Sequence, residues 1–146
     1  MWSIRRRVIR MVMEASLDSL PKEFGAFLRA ENKVIFEIAI LPGTIQGDSH
    51  TIFQLYNKPI DFSIVGTIHS HPSGVISPSD ADLHMFSNSG PIHIIVGYPF
   101  KEYSFIAFNR KGEAEKIEVI GSRVKFSGPT YSAAGLMILL LLTCSK

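Results

Sequence analysis

The spacing of apolar residues divides the first part of the chain into a helix and a pair of strands. Residues 4–17 carry apolar side chains at helical intervals, which predicts an amphipathic helix. Pro21 ends this segment, because proline cannot continue a helix. Two apolar runs follow at 23–28 and 34–41, and the polar, asparagine-containing stretch between them predicts a hairpin.

The rest of the chain contains further strand candidates and one short helix. Strands are predicted, in chain order, at 51–56, 62–70, 91–96, 103–108 and 115–120. A helix is predicted over 79–86, with Ser77 as its N-cap and Pro78 at its first helical position. Because helices are mixed with strands that follow one another directly, we expect one α/β domain built on a mixed sheet.

Composition narrows the class of protein. The 146 residues suffice for one domain, and a net charge of +2 gives no reason to expect nucleic acid as a partner. The arginines at 5, 6, 7 and 10 are expected to form a solvated helix face. Cys144 is the single cysteine, so no internal disulfide can form. With no signal-peptide pattern at the N-terminus, we expect a cytoplasmic location.

Two segments have no assigned role. Residues 133–142 form a ten-residue run without a polar side chain. A membrane-spanning helix needs about 20 such residues, so a membrane is not expected, and packing on the sheet or in a homodimer is the simpler interpretation. We therefore divide the chain into a domain over 1–125 and a tail over 126–146. The polar loop at 43–50 is long enough to gate a site.

Two histidines lie at the predicted end of a strand. Successive strand residues alternate between faces, so His69 and His71 point to one side and Ser70 to the other. Pro72 follows directly and takes the chain out of the sheet. The two imidazoles are therefore expected to converge on one point beside the strand end.

The predicted second helix brings a carboxylate toward the histidines. With Ser77 as N-cap, Asp80 is the third helical residue and is expected to bond the exposed amides. Asp82 lies three residues after Ser79, so these two share a face. Asp82 is therefore the acid expected to face the histidines.

Two imidazoles and one carboxylate are the donors of a catalytic zinc site, which leaves a fourth position for water. The sequence predicts one Zn²⁺ per chain, held by His69, His71 and Asp82. Ser79 is a candidate donor to an oxyanion. The general base must be a carboxylate elsewhere, and Glu23 is the best candidate, although spacing alone does not place it near the metal.

Three other histidines are not expected to be ligands. His50 lies in a loop, and His84 follows Asp82 by two residues and points off its face. His93 lies within an apolar strand and is expected to be a hydrogen-bonded core residue.

These residues resemble the motif of the JAMM (MPN-plus) zinc metalloproteases, which is His-x-His, seven residues, Ser, two residues and Asp. The stretch from His69 to Asp82 matches it in residue type and spacing. The segment Pro21-Lys22-Glu23 is similar to the Pro-x-Glu element that carries the catalytic glutamate of the family.

The resemblance implies a fold and a set of roles. The JAB/MPN fold of the family is a curved mixed sheet flanked by helices, similar to that of cytidine deaminases. By this resemblance the two histidines and Asp82 bind zinc, Glu23 handles the proton of the attacking water, and Ser79 stabilises the oxyanion.

The resemblance also implies a substrate class. Family members cleave the bond between the C-terminal glycine of a ubiquitin-like protein and a lysine, and this chain is most similar to the small prokaryotic members. The expected partners are a ubiquitin-like modifier and its conjugates or linear fusions. Trimming of a sulfur-carrier protein and a non-catalytic scaffold are the alternatives. A zinc nucleoside deaminase is excluded, because its Pro-Cys-x-x-Cys element is absent from a chain with one cysteine.

Overall fold

Two helices and ten strands make up the part of the chain that the structure describes. The computed structural model describes residues 1–40 and 61–121, together with the backbone of 45–46 and 51–52. The helices are α1 (Arg6–Ser19) and α2 (Asp80–Ser89). The strands are β1 (Trp2–Arg5), β2 (Gly25–Glu31), β3 (Val34–Ala39), β4 (Ile45–Gln46), β5 (Thr51–Ile52), β6 (Ile64–His71), β7 (Ile92–Gly97), β8 (Phe105–Asn109), β9 (Ala114–Glu115) and β10 (Ile117–Ile120).

Eight of these strands form one mixed sheet, and β4 and β5 pair separately. The order in the sheet is β10-β1-β3-β2-β6-β7-β8-β9. The pairs β1–β10, β1–β3 and β6–β7 are parallel, and the others are antiparallel. The edge strands β9 and β10 are separated in the chain by Lys116 alone. The sheet must therefore curve until its two edges come near each other.

The two helices pack against opposite faces of this sheet. Val8 and Val12 of α1 join a buried cluster that includes Ile94 of β7. Phe86 of α2 packs with Ile95, the next residue of the same strand. Because successive strand side chains point to opposite faces, α1 and α2 cover different sides. This arrangement confirms the predicted α/β fold with a curved mixed sheet flanked by helices.

The predicted first helix begins two residues too early, and a strand was missed in front of it. Trp2–Arg5 is the strand β1, which lies between β3 and β10, and α1 starts at Arg6. Ile4 is fully buried within the sheet. Ile4 and Val8 have helical spacing, but the burial of Ile4 comes from strand pairing, so periodicity alone gave the wrong element.

The N-terminal arginines have mixed surroundings. Arg5 and Arg10 are exposed, as expected. Arg6 forms an ion pair with Glu102 and donates to the carbonyl of Gly121 at 3.1 Å. Arg7 is also exposed, but it donates to a carbonyl of β3 at 3.2 Å. These arginines therefore do not form one purely solvated face.

The remaining strands lie close to the positions predicted for them, with shifted ends. The hairpin of β2 and β3 turns at Asn32 and Lys33, which have φ of 51° and 61°, as a two-residue hairpin turn requires. The strand predicted at 115–120 is broken at Lys116 into β9 and β10. Of the strand predicted at 51–56, only the backbone of Thr51–Ile52 is described, as β5. His50, most of the loop at 43–50 and the tail at 126–146 lie outside the described residues.

Neither described helix is long and apolar enough to cross a membrane.

His93 is a core residue, as predicted. It is fully buried on the face covered by α2, and its ring stacks on Phe86 with centroids 4.3 Å apart. Its Nε2 lies 3.0 Å from the carbonyl oxygen of Gly90, and its Nδ1 lies 2.8 Å from the hydroxyl of Thr67. A carbonyl can only accept, so Nε2 carries the proton and Nδ1 accepts from the hydroxyl. The neutral ring is thus hydrogen-bonded at both nitrogens.

We expect His93 to make the protein acid-sensitive. Burial lowers the pKa of His93 from its ordinary 6.5 to about 4, although the carbonyls of Gly90 and Phe86 act to raise it. Between pH 6.5 and about 4, His93 therefore stays neutral in the folded protein but is protonated in the unfolded chain. The contribution of neutral His93 to the free energy of unfolding is fully present above pH 6.5 and is lost as the pH drops toward 4. The loss amounts to about 3 kcal/mol in all.

Urea unfolding at several pH values tests this effect. The free energy of unfolding of His93→Gln should depend less on pH between 6.5 and 4 than that of the parent. His84→Gln, at an exposed position of α2, should follow the parent. A His93→Gln curve parallel to the parent curve would contradict the assignment.

Candidate metal centre

The end of β6 places the two predicted histidines side by side. His69 is 1% exposed and His71 is half-buried. Their Nε2 atoms are 3.0 Å apart, and their ring centroids are separated by 4.9 Å. They share the face of the sheet on which α2 packs, since His69 is in register with Ile95 of β7. The prediction that both imidazoles converge on one point is confirmed.

The start of α2 differs from the prediction. The N-cap is Ser79, not Ser77, and Asp82 is the third helical residue. Ser79 Oγ accepts from the backbone N–H of Asp82 at 3.2 Å, and the Ser79 N–H donates to Asp82 Oδ2 at 2.8 Å. These reciprocal bonds form a capping box. The roles expected for Ser77 as cap and Asp80 as capping acid are therefore wrong.

Overlapping signals in the sequence explain this error. Residues 77–80 and 79–82 both read Ser-x-x-Asp, and each is a possible capping box. In the second register the capping acid, Asp82, also contacts both histidines. In the first register, residues 77–80, the capping acid would be Asp80, and the cap would not involve the residue that contacts the histidines. Asp82 thus both caps the helix and contacts the histidines, whereas the capping role had been predicted for Asp80.

The Asp82 carboxylate completes a three-residue donor set. Its Oδ1 lies 3.0 Å from His69 Nε2, and its Oδ2 lies 3.5 Å from His71 Nε2. One donor atom from each residue lies within 4.8 Å of the other two. Tetrahedral zinc with bonds of 2.0–2.1 Å separates its ligand atoms by about 3.3 Å. The observed spacings therefore fit one zinc ion.

The charges in this cluster reinforce one another. Burial raises the pKa of the Asp82 carboxyl, but hydrogen bonds from His69 and His71, the His69 charge and the Ser79 amide lower it more, so that it lies far below its ordinary value. Burial lowers the pKa of His71, but its bonds to Asp82 and the Val75 carbonyl and the charges of Asp82 and Glu23 raise it overall. The carboxylates of Asp82 and Glu23 therefore favour a positive charge at this site.

Glu23 lies beside the histidines, just ahead of β2. The ladder between β2 and β6 continues past Gly25, because the Ser70 N–H donates to the Phe24 carbonyl at 2.9 Å. The Phe24 N–H donates to Ser70 Oγ at 2.8 Å. Glu23 is 8% exposed, and its charge acts on His71. The backbone that carries Glu23 is thus fixed to the residue between the two histidines.

Some contributors to the site were not predicted. Ser70 points away from the metal side, as expected, but its hydroxyl ties down the segment next to Glu23. The carbonyl of Val75 lies 2.8 Å from His71 Nδ1. A backbone carbonyl has no side-chain signature, so nothing in the sequence could single out Val75. His84 is exposed and lies outside the three-residue donor set.

Comparison with known proteins assigns this arrangement to a family. Residues 5–111 match the family described as prokaryotic homologs of the JAB domain. The chain is 37% identical over 118 residues to a probable metalloprotease of Haloferax volcanii, with 74% of this chain and 73% of that protein covered. A JAB1/MPN domain protein from Archaeoglobus fulgidus is 34% identical, with a TM-score of 0.66 over 82% of this chain and 97% of that chain.

Two other solved structures extend the comparison. One, described as JAMM, a metalloprotease-like zinc site in the proteasome and signalosome, is 34% identical, with a TM-score of 0.67 over 83% of this chain and 99% of that chain. A protein from Desulfitobacterium hafniense, 15% identical with a TM-score of 0.62 over 89% and 100%, shares the fold alone. The fold and site thus define a JAB/MPN-type domain with a metalloprotease-like zinc centre. The chain belongs to the prokaryotic JAB family of JAMM-like metalloproteases. Zinc is accordingly its cofactor, one ion per chain.

Ser79 should help to hold the Asp82 carboxylate in place. Its hydroxyl donates to Asp82 Oδ2 at 2.8 Å, in addition to capping α2. Ser79→Ala should destabilise the protein by about 1 kcal/mol through the lost cap. It should also weaken zinc binding by about 10- to 100-fold, as is usual when a partner of a metal ligand is removed.

Thermal unfolding and zinc competition with a chromophoric chelator measure these two effects. Ser77→Ala is the matched control, because it removes the hydroxyl of the cap that the sequence predicted. It should behave like the parent, and His69→Ala should show the zinc-free limit. Equal zinc affinity in Ser79→Ala and the parent would remove Ser79 from this role.

Proposed function

We propose that the protein is a zinc-dependent isopeptidase. Its substrate would be the bond between the C-terminal glycine of a ubiquitin-like modifier and a lysine, or the equivalent bond in a linear fusion. The observation that carries the proposal is a buried carboxylate, Glu23, beside a two-histidine, one-aspartate zinc site. The family of JAMM-like metalloproteases supplies the further support.

The residues divide the chemistry of amide hydrolysis between them. When bound, zinc polarises a carbonyl and lowers the pKa of a water molecule to about 7. His69, His71 and Asp82 hold that ion. Glu23 accepts the proton of the attacking water at its carboxylate and returns it to the amine of the leaving lysine. Glu23 is only 8% exposed, so its carboxylate is largely shielded from bulk water.

Ser79 would stabilise the developing oxyanion. A donor of this kind contributes about 10²–10³ to the rate. The hydroxyl of Ser79 has one proton, and it is donated to Asp82 Oδ2. The oxyanion role therefore requires the hydroxyl to turn from Asp82 toward the substrate. Ser79 is exposed, so a substrate carbonyl has access to it.

Glu23→Gln should retain zinc and lose turnover. The amide keeps the size of the side chain but cannot take up the proton at neutral pH. We expect a full equivalent of zinc by metal analysis and a loss of kcat of at least about 10²-fold, the lower range of general-base contributions. Glu31→Gln, at the exposed far end of β2, is the matched control and should be fully active. An active Glu23→Gln enzyme would rule out Glu23 as the base, and loss of zinc would assign it a structural role.

The bond type can be tested with one modifier in three forms. A ubiquitin-like protein is joined through Gly-Gly to a lysine side chain, fused linearly to a second protein, or extended by a short C-terminal peptide. We expect the first two to be cleaved after the final glycine, and activity to disappear with chelator and return with zinc. Cleavage of the short extension alone would favour trimming of a sulfur-carrier protein. No cleavage of any form by zinc-loaded protein would favour a non-catalytic scaffold.

A further inference from the structure

The two ligand histidines are held in different ways. His69 is almost completely buried, and its Nδ1 has no hydrogen-bond partner among the described residues. Packing keeps this ring in place, with Phe86 at a centroid distance of 6.4 Å. His71 is half-buried at the last position of β6, and its Nδ1 lies 2.8 Å from the carbonyl of Val75. His71 therefore depends on a hydrogen bond where His69 depends on burial.

The partner of His71 belongs to the loop that leaves β6, residues 72–76, which we call the ligand loop. The carbonyl of His71 accepts from the N–H of Gly74 at 3.0 Å and from the N–H of Tyr98 at 3.2 Å. The Val75 N–H is near Ser73 Oγ, at 3.3 Å. The ligand loop thus folds back over His71, and the residue after β7 fixes the same carbonyl.

Close approach to β7 holds the ligand loop in this position. Gly97, the last residue of β7, is in register with His71. A Cβ at Gly97 would lie 2.6 Å from Ile76 Cγ1, 3.0 Å from Ile76 Cδ1 and 3.2 Å from the Gly74 carbonyl oxygen. Glycine is required here because of space: Gly74 and Ile76, the residues on either side of Val75, both lie against this position. A larger residue must displace the Ile76 side chain and crowd the Gly74 carbonyl, the two groups that flank Val75 in the ligand loop.

We propose that Gly97 is a positioning residue for the zinc site. By admitting Ile76 and Gly74 against the end of β7, it places the Val75 carbonyl where it accepts the proton of His71 Nδ1. That bond fixes the tautomer and turns Nε2 toward His69 and Asp82. The inference concerns the metal centre alone, so it stands or falls independently of the substrate.

Gly97→Ala should therefore weaken zinc binding without preventing folding. Hydrogen-bond partners of metal ligands typically contribute 10- to 100-fold to metal affinity, and we expect a loss in this range. The parent protein, Gly97→Ala, Ile76→Ala and the double variant are compared by chelator competition. Ile76→Ala alone should lose less than about threefold, because the Val75 carbonyl stays in place. The double variant should recover most of the affinity, since truncating Ile76 removes the two shorter clashes.

The pattern of the four affinities separates positioning from general destabilisation. Unchanged zinc affinity in Gly97→Ala would overturn the proposal, as would a double variant as weak as Gly97→Ala. Failure of the parent to bind zinc would instead remove the zinc site itself. Circular dichroism in the presence of chelator confirms that each variant is folded before zinc is added.

A measurement on the unaltered protein covers the case in which Gly97→Ala does not fold. Nitrogen-15 spectra of the histidine rings in the zinc-loaded protein should show His71 with its proton on Nδ1, exchanging slowly with water. A proton on Nε2 of His71, or rapid exchange at Nδ1, would overturn the proposal.

Discussion

The Asp82 carboxylate connects the fold of the second helix to the metal centre. Its Oδ2 accepts from both the N–H and the hydroxyl of Ser79, and its Oδ1 lies 3.0 Å from His69 Nε2. Since a carboxylate oxygen has two lone pairs, the cap occupies Oδ2 and leaves Oδ1 for a cation. The helix cap therefore fixes the orientation of the ligand before any metal arrives, and zinc binding needs to order less of the side chain.

The register of three neighbouring strands brings the other groups to the same place. β6 lies between β2 and β7, with His69 opposite Gly25 on one side and Ile95 on the other. The position of Glu23 follows from the continued β2–β6 ladder, and that of the ligand loop follows from Gly97. A shift of one residue in either pairing would turn the histidines to the face covered by α1. The buried apolar residues on both faces of β7 make such a shift costly.

Prediction from sequence succeeded where one residue type determines one contact. Strand alternation was enough to place His69 and His71 together, and His93 was correctly left in the core. It failed where two local patterns compete. In β1, Ile4 has helical spacing but pairs as a strand residue. At the start of α2, two Ser-x-x-Asp boxes overlap, and the second one forms the cap. It had no means of finding the Val75 carbonyl or the space at Gly97, because these contacts involve backbone. The assignment of Glu23 depended mainly on family resemblance, since only the tertiary fold brings it near His71.

The single proton of Ser79 links the stability of the site to its proposed chemistry. While that proton is donated to Asp82, it cannot be donated to an oxyanion, so the two roles exclude each other at any one moment. The Ser79 amide still donates to Oδ2 after the hydroxyl has turned, so the helix cap is not lost. The hydroxyl can therefore turn toward a substrate while the amide bond keeps Asp82 in place.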